Sequence, residues 1–458
     1  MRILLASTPA PGHLNPILAI GRILIAEGHE VIVLSGTKFR GRVEGIGAGF
    51  RALPPGADLD TQSGAGVIPE AKCIPPGPEW LRVVMERFCV DTIPAQHAGL
   101  RHALTEFTAD VVIGDDIFFG ILPMLLGPRS ERPPVVLCGT SILHWRRADR
   151  APNFAGLPPA ASAAEFERYA AIALEHHGLV DRPVLLRLNR ILEQMEVRSL
   201  STPLFDSVVE LADAYMQLSV PGFEFPRDLP PSVHFVGALP IVPNQAPLPS
   251  WAHDLDGTRK VVLVTQGTMA NHDFGLVVAP TLAALANESD LLVVATAGGR
   301  PVDTIPGPIP ANARLASYLP FEWMLPRTDV LVTNGGYGSV NQALCFAVPL
   351  VAAGLTEDKA DVNARIAWSG AGIDLATNAP TPQALREAVR TVLDRTEYRA
   401  RAALLAGEFA RIDTQAEILR IVRQVSQVPT RADLPRGGAM AGRVRPLATP
   451  AARASRLG

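Results

Sequence analysis

The first pairing able to do chemistry is a histidine near one strand and a carboxylate at the end of another. His13 stands in T-P-A-P-G-H-L-N-P, residues 8–16, where Gly12 lets the backbone turn tightly. Asp115 closes the run V-V-I-G-D, and Asp116 follows it directly. Imidazole titrates near pH 6.5, so its free base is available at neutral pH. A carboxylate on its second ring nitrogen fixes the tautomer and stabilises the imidazolium left after a hydroxyl gives up its proton. A serine hydrolase would need a G-x-S-x-G elbow, which the chain lacks. A histidine at this place also serves simply to cap or pack a helix start. Read as a metal site, Asp115-Asp116 is weak, because adjacent strand residues point to opposite faces and no histidine cluster accompanies them. No metal is assigned.

The second chemical feature is glycine-rich. T-N-G-G-Y-G-S, residues 333–339, follows an apolar strand and opens a helical stretch. Gly335, Gly336 and Gly338 allow close backbone approach to a ligand, helix-terminal N–H groups favour a phosphate, and Ser339 adds a hydroxyl. Asn334 adds an amide. An earlier turn, Gly267-Thr268, follows the strand Val261–Thr265, and two such turns suit a diphosphate better than one. Neither fits G-x-x-x-x-G-K-[ST] or G-x-G-x-x-G, which disfavours a P-loop ATPase and a nicotinamide-dependent oxidoreductase. Gly45, Gly47 and Gly49 follow a helical stretch and read as a turn. A plain tight turn is the bland alternative for each loop.

These groups need a scaffold that brings strand ends together. Arg2–Ser7, Val31–Leu34, Val111–Ile113 and Val135–Leu137 are continuous apolar runs, as in a parallel sheet covered on both faces. A helix is predicted over Asn15–Glu27, capped by Asn15 with Pro16 in its first turn and Gly28 beyond its end. If Val111–Ile113 is the fourth strand and lies beside the first, His13 and Asp115 meet at the switch point of a doubly wound sheet. The rhythm restarts after Lys260 with strands Val261–Thr265, Leu291–Thr296 and Val330–Thr333, and with helices near Gly275–Ala286 and Ser339–Ala347. The expected organisation is a first α/β domain over residues 1–239, a proline-rich linker over 240–257 and a second α/β domain with terminal helices over 258–428. An Arg-, Pro-, Ala- and Gly-rich tail over 429–458 is expected to be disordered. Two Rossmann-like domains would then face each other across a cleft.

Composition narrows the partners. With 48% hydrophobic residues the 458-residue chain can build large cores, and a net charge of −3 supplies no general field for nucleic acid. Four scattered cysteines suggest neither zinc nor disulfides, and a reducing cytoplasm is the expected compartment. No apolar run approaches the roughly 18 residues of a membrane span. Residues 60–107 and 141–200 exceed ordinary connections and carry Trp80, Phe88, Trp145 and Phe154. With Phe118, the first three are candidates for a wall around an apolar ligand, extra core packing being the alternative.

Taken together, these segments resemble the inverting glycosyltransferases that include macrolide glycosyltransferases and the plant and animal UDP-sugar transferases. The likeness runs over about residues 1–425. P-G-H-L-N-P resembles the family's catalytic-histidine segment, which points to His13, and D-V-V-I-G-D its orienting aspartate, which points to Asp115, with Asp116 as the alternative. Tyr318-Leu319-Pro320 stands where the family has a Trp-x-Pro turn that stacks on the base. Asn334 replaces a phosphate-binding histidine, Gly338 and Ser339 match phosphate contacts, and Gln342 replaces a ribose-binding glutamate. Asp358-Lys359 replaces an Asp-Gln pair that contacts sugar hydroxyls.

The resemblance implies a GT-B fold and metal-free, inverting transfer of a hexose from a UDP- or dTDP-sugar to a hydroxyl of a small apolar acceptor. The nucleotide-sugar is then a co-substrate, and no cofactor is expected. A non-catalytic nucleotide-sugar binder and a sugar-nucleotide epimerase are the rival readings. Sugar, base, acceptor and oligomeric state are not fixed by the sequence.

Overall fold

In the computed structural model the structure describes residues 1–60, 68–75, 77–241, 248–267 and 271–427. Thr268, part of the Pro240–Gly257 linker and the basic tail therefore lie outside the described residues.

The first domain is a seven-stranded parallel sheet: β1 Arg2–Ala6, β2 Glu30–Ser35, β3 Gly49–Ala52, β4 Val111–Asp115, β5 Val135–Gly139, β6 Ala214–Gln217 and β7 Val233–Phe235. Their order is β3-β2-β1-β4-β5-β6-β7. The second sheet holds β8 Lys260–Thr265, β9 Leu291–Thr296, β10 Ala313–Ala316, β11 Val330–Thr333, β12 Leu350–Ala352 and β13 Gly372–Asp374, in the order β10-β9-β8-β11-β12-β13. The central strands are buried on both faces, as their unbroken Val/Ile/Leu runs require. Both sheets reverse direction beside their first strand, at β1/β4 and at β8/β11.

Helix boundaries depart from expectation in informative ways. The helix predicted from Asn15 begins at Pro11, with Ala10 as its extended N-cap, and runs to Ala26; we call it α1. Proline is well placed there because its missing N–H has no intrahelical partner to lose. His13 thus sits in the first turn of α1 rather than in a loop. Asn15 caps nothing, and its side chain instead accepts a hydrogen bond from Arg42. The helix expected over Gly275–Ala286 is shortened to Val278–Ala284, because the Gln266 side chain accepts from the N–H groups of Val277 and Val278 and fixes its start.

The final helix, Thr414–Ser426, is grouped with the second domain by sequence order but packs in the first. Ile418, Ile421 and Val422 share a core with Ile3, Leu5 and Leu14. Its apolar stripe outweighs chain proximity. The chain therefore passes between the domains twice, and the two passages are tied where Thr414 Oγ1 donates to Ala238 O at 3.0 Å. Among the described residues no helix is long and apolar enough to cross a membrane.

Candidate active site

Parallel pairing of β1 with β4 sets Ala6 against Gly114, so the residues just beyond both strands converge. Thr8 donates its backbone N–H to Asp115 Oδ2 at 2.6 Å and its hydroxyl to Oδ1 at 3.1 Å; the N–H of Ile117 also reaches Oδ1. Asp115 is thus a buried, hydrogen-bonded carboxylate. His13 Nδ1 lies 3.4 Å from Asp115 Oδ1 and 3.9 Å from Asp116 Oδ1. The adjacent carboxylates do not diverge as strand alternation predicts, because β4 ends at Asp115 and the backbone turns there.

Thr140, the residue after β5, is closer still, its Oγ1 being 2.7 Å from His13 Nδ1 and 2.8 Å from Asp116 Oδ1. Sequence reading missed this residue, whose signal is only a hydroxyl directly after a strand. Burial opposes the imidazolium, but the neighbouring carboxylates, Asp115 foremost and then Asp116 and Asp358, outweigh it and raise the pKa of His13 above 6.5. Burial pushes the Asp116 carboxyl up to about 6, against the pull of His13. With Nδ1 engaged, Nε2 is the ring nitrogen available to an incoming hydroxyl, and the side chain keeps 21% exposure. The three ligand-type atoms lie within 4.8 Å of one another, a spacing a cation could bridge. Three donors on Asp115 and the Thr140 hydroxyl on Nδ1 already occupy that space.

The second switch point is built differently. β8, β9 and β11 each end in Thr-x-Gly, and the threonine hydroxyls of Thr265, Thr296 and Thr333 accept from the N–H groups of Gly267, Gly298 and Gly335. All three glycines have positive φ, and a Cβ on Gly335 would come within 2.0 Å of Asn363 Oδ1. Asn334 is buried, and its Nδ2 donates to Gln266 O at 3.0 Å, clamping the β8 and β11 loops together. The helix expected from Ser339 begins two residues earlier and spans Tyr337–Cys345, with Gly336 as N-cap. The N–H groups of Tyr337, Gly338 and Ser339 therefore head the helix without intrahelical partners. Nothing crowds Gly338, and Ser339 is half-buried beside it.

The remaining candidates divide. Tyr318 is 52% exposed, as a stacking surface must be, whereas Leu319 is 2% exposed and its side chain belongs to the second core. Leu319 can serve a ligand only through its backbone. Gln342 lines a cavity of about 240 Å³ with Glu322, Leu239 and Ile241, beside the first interdomain passage. The helix after β12 begins at Lys359, so Glu357 and Asp358 sit on the loop before it. Lys359 is buried and turns back to pair with Glu357. Asp358, rather than Lys359, reaches the first domain, where its carboxylate meets Ser141.

Trp80 and Phe88 are half-buried on insertion helices, and Phe88 packs against the core of the first domain. Phe118 and Trp145 are not wall residues: they are 1% and 5% exposed in the first core, and the Trp145 indole donates to Asp228 O. Nearby, buried His144 stacks on part-buried Phe154 and Phe205, with ring centroids 4.9 and 4.2 Å from the imidazole. Burial holds His144 neutral, its pKa lowered to about 3.

Buried contacts hold the two sheet ends face to face. Gln217 Nε2 donates to Tyr337 Oη at 2.7 Å, Ser219 donates to Asn341, and Arg365 pairs with Glu224. Asp361 accepts the N–H groups of Phe154 and Gly156. Sequence reading missed all of these, since each partner lies on the other domain.

Two doubly wound domains, a histidine–carboxylate cluster on one and an amide-lined glycine loop on the other define the class of nucleotide-dependent group transferases. Comparison with known proteins narrows this. Residues 281–425 match the family described as Erythromycin biosynthesis protein CIII-like, C-terminal domain. The 4'-demethylrebeccamycin synthase of Lentzea aerocolonigenes is 37% identical, covering 92% of this chain and 98% of its own. UDP-glycosyltransferase 2 of Phaeomoniella chlamydospora is 35% identical, covering 91% and 94%. The crystal structure of the glycotransferase of kitacinnamycin matches with a TM-score of 0.68 over 92% of this chain and 98% of that one, at 22% identity, a likeness of fold. The chain belongs to the GT-B glycosyltransferase family of natural-product and UDP-sugar transferases, and it is a glycosyltransferase.

Proposed function

We propose that the protein transfers a hexose from a UDP- or dTDP-sugar to a hydroxyl of a small, largely apolar natural-product acceptor, with inversion. His13 Nε2 takes the acceptor proton as the oxygen attacks the anomeric carbon. The bond from that carbon to the diphosphate oxygen breaks on the opposite side, and the nucleoside diphosphate leaves. The carboxylates beside His13 stabilise the imidazolium. The amides of Gly336–Ser339 and the helix dipole stabilise the departing diphosphate, so no divalent metal is required. Tyr318 stacks on the base, Gln342 holds the ribose, and Asp358 binds sugar hydroxyls. Trp80, Phe88 and Phe154 bound the acceptor. Closure across the cleft excludes water from the donor.

The single observation that carries this reading is geometric: His13 Nδ1 is held 2.7 Å from Thr140 Oγ1 and 3.4 Å from Asp115 Oδ1 at the switch point of the first domain, and the hydrogen bond from Gln217 Nε2 to Tyr337 Oη at 2.7 Å brings the glycine-loop helix of the second domain against the strand ends of the first. The names of two full-length relatives support the acceptor class and the UDP donor. The test is transfer from UDP- and dTDP-glucose to a panel of hydroxylated aromatic aglycones, with the anomeric configuration of the product read by NMR and the assay repeated in EDTA. An inverted product and full activity in EDTA are expected. A retained configuration, or strong loss with EDTA, would remove the mechanism.

A further inference from the structure

Three central strands deliver four polar groups to the carboxyl end of the first sheet. α1, after β1, brings His13; the end of β4 brings Asp115 and Asp116; the residue after β5 is Thr140. Pairing of β4 with β5 sets Asp115 against Cys138, and the Asp116 N–H donates to Cys138 O, which seats Asp116 beside Thr140. The Thr140 backbone N–H also reaches Asp116 Oδ1, at 3.3 Å.

The direction of these bonds follows from donor and acceptor counts. An ionised carboxylate only accepts, so the single hydroxyl proton of Thr140 goes to Asp116 Oδ1, 2.8 Å away. The Thr140 oxygen can then only accept from His13 Nδ1, at 2.7 Å, which requires the proton to sit on Nδ1. Asp115 Oδ1 lies 3.4 Å from Nδ1, a longer approach than that of Thr140, and the Asp115 carboxylate also takes three other donors. Asp116, by contrast, has its Oδ2 buried without a partner, so its charge is offset chiefly through Oδ1.

We propose that Thr140 is a positioning residue of the transfer reaction: its hydroxyl bridges His13 Nδ1 to Asp116 and, beside the charge of Asp115, fixes the tautomer that leaves Nε2 basic. No proton moves along the bridge. The threonine keeps its hydroxyl proton, Asp116 stays ionised, and Nε2 alone takes the acceptor proton. The inference rests on His13 being the base.

Long-range ¹H–¹⁵N spectra of the imidazole in donor-free enzyme test it, because the donor cannot influence them. Wild type should show a protonated Nδ1 and an unprotonated Nε2 above the His13 pKa. Thr140→Val should mix the tautomers and lower kcat by about tenfold or more, with donor Kd changed by less than about twofold. Thr140→Ser should restore both readouts. A wild-type tautomer in Thr140→Val, whether kcat survives or falls only through donor Kd, overturns the bridge. His13→Ala separates the two claims: normal turnover there removes the base itself, whereas an inactive His13→Ala beside a normal Thr140→Val removes only the bridge.

Discussion

The two switch points share a topology and oppose each other in chemistry. At β1/β4 the strand ends carry buried charges: Asp115 and Asp116 are 1% and 2% exposed, and hydrogen bonds join them to Thr8, Ile117 and Thr140. At β8/β11 the strand ends carry backbone instead: the N–H groups of Gly267 and Gly335 turn back to threonine hydroxyls, the buried amide of Asn334 clamps the two loops, and Gly338 stands uncrowded at the helix start. Proton transfer needs a base whose charge is tuned by desolvation and neighbours. Holding a diphosphate needs N–H groups with nothing in front of them. One doubly wound frame can present either kind of group, according to whether side chains or backbone reach the strand ends.

The comparison can be broken from either side. The largest effect is expected at the charged end, where His13→Ala should reduce transfer by about two to four orders of magnitude, the usual reach of a general base. Calorimetry on that variant should find donor affinity nearly unchanged, because the proposed donor contacts lie on the other domain. Next comes the backbone end. Gly335 has a φ of 94°, and a Cβ there would meet Asn363 Oδ1 at 2.0 Å. Gly335→Ala should lower stability by about 1–3 kcal/mol, the cost of a non-glycine residue held in that region, and weaken donor binding with it. Denaturant titration against donor calorimetry checks both; a stable variant with normal donor affinity would mean the loop conformation is dispensable. The smallest effect is expected at Ser339, where loss of one hydroxyl should raise donor KM by about fivefold to tenfold, about one hydrogen bond to a charged group, with little change in kcat. An unchanged KM would remove Ser339 from the phosphate site.

The same contrast explains what could be read from the sequence. Strands β1, β4, β8, β9 and β11 were legible as unbroken apolar runs, and the β1/β4 adjacency followed from doubly wound order. The glycine loop was legible because positive φ demands glycine, so backbone function leaves a residue signature. Helix starts were not, because Pro11 and Gln266 set them through geometry and a distant side chain rather than a local cap motif. Thr140 carries no signature at all, since its role depends on β5 lying beside β4. Phe118 and Trp145 looked like pocket aromatics and are core, because an aromatic residue type does not say on which side of a helix or loop the ring falls. The crossing of the final helix to the first domain was hidden for a similar reason: an amphipathic stripe identifies a buried face and not its partner.

The most direct test of His13 as the base is the pH dependence of single-turnover transfer in wild type and in His13→Gln, with the donor saturating. The carboxylates around His13 raise its pKa above 6.5, so the neutral base is lost as pH falls through that raised value. Wild-type rate should therefore fall about tenfold per pH unit on the acid side, and His13→Gln should be slow and flat over the same range. An acid limb of unchanged slope in His13→Gln would place the titrating base elsewhere and contradict the account.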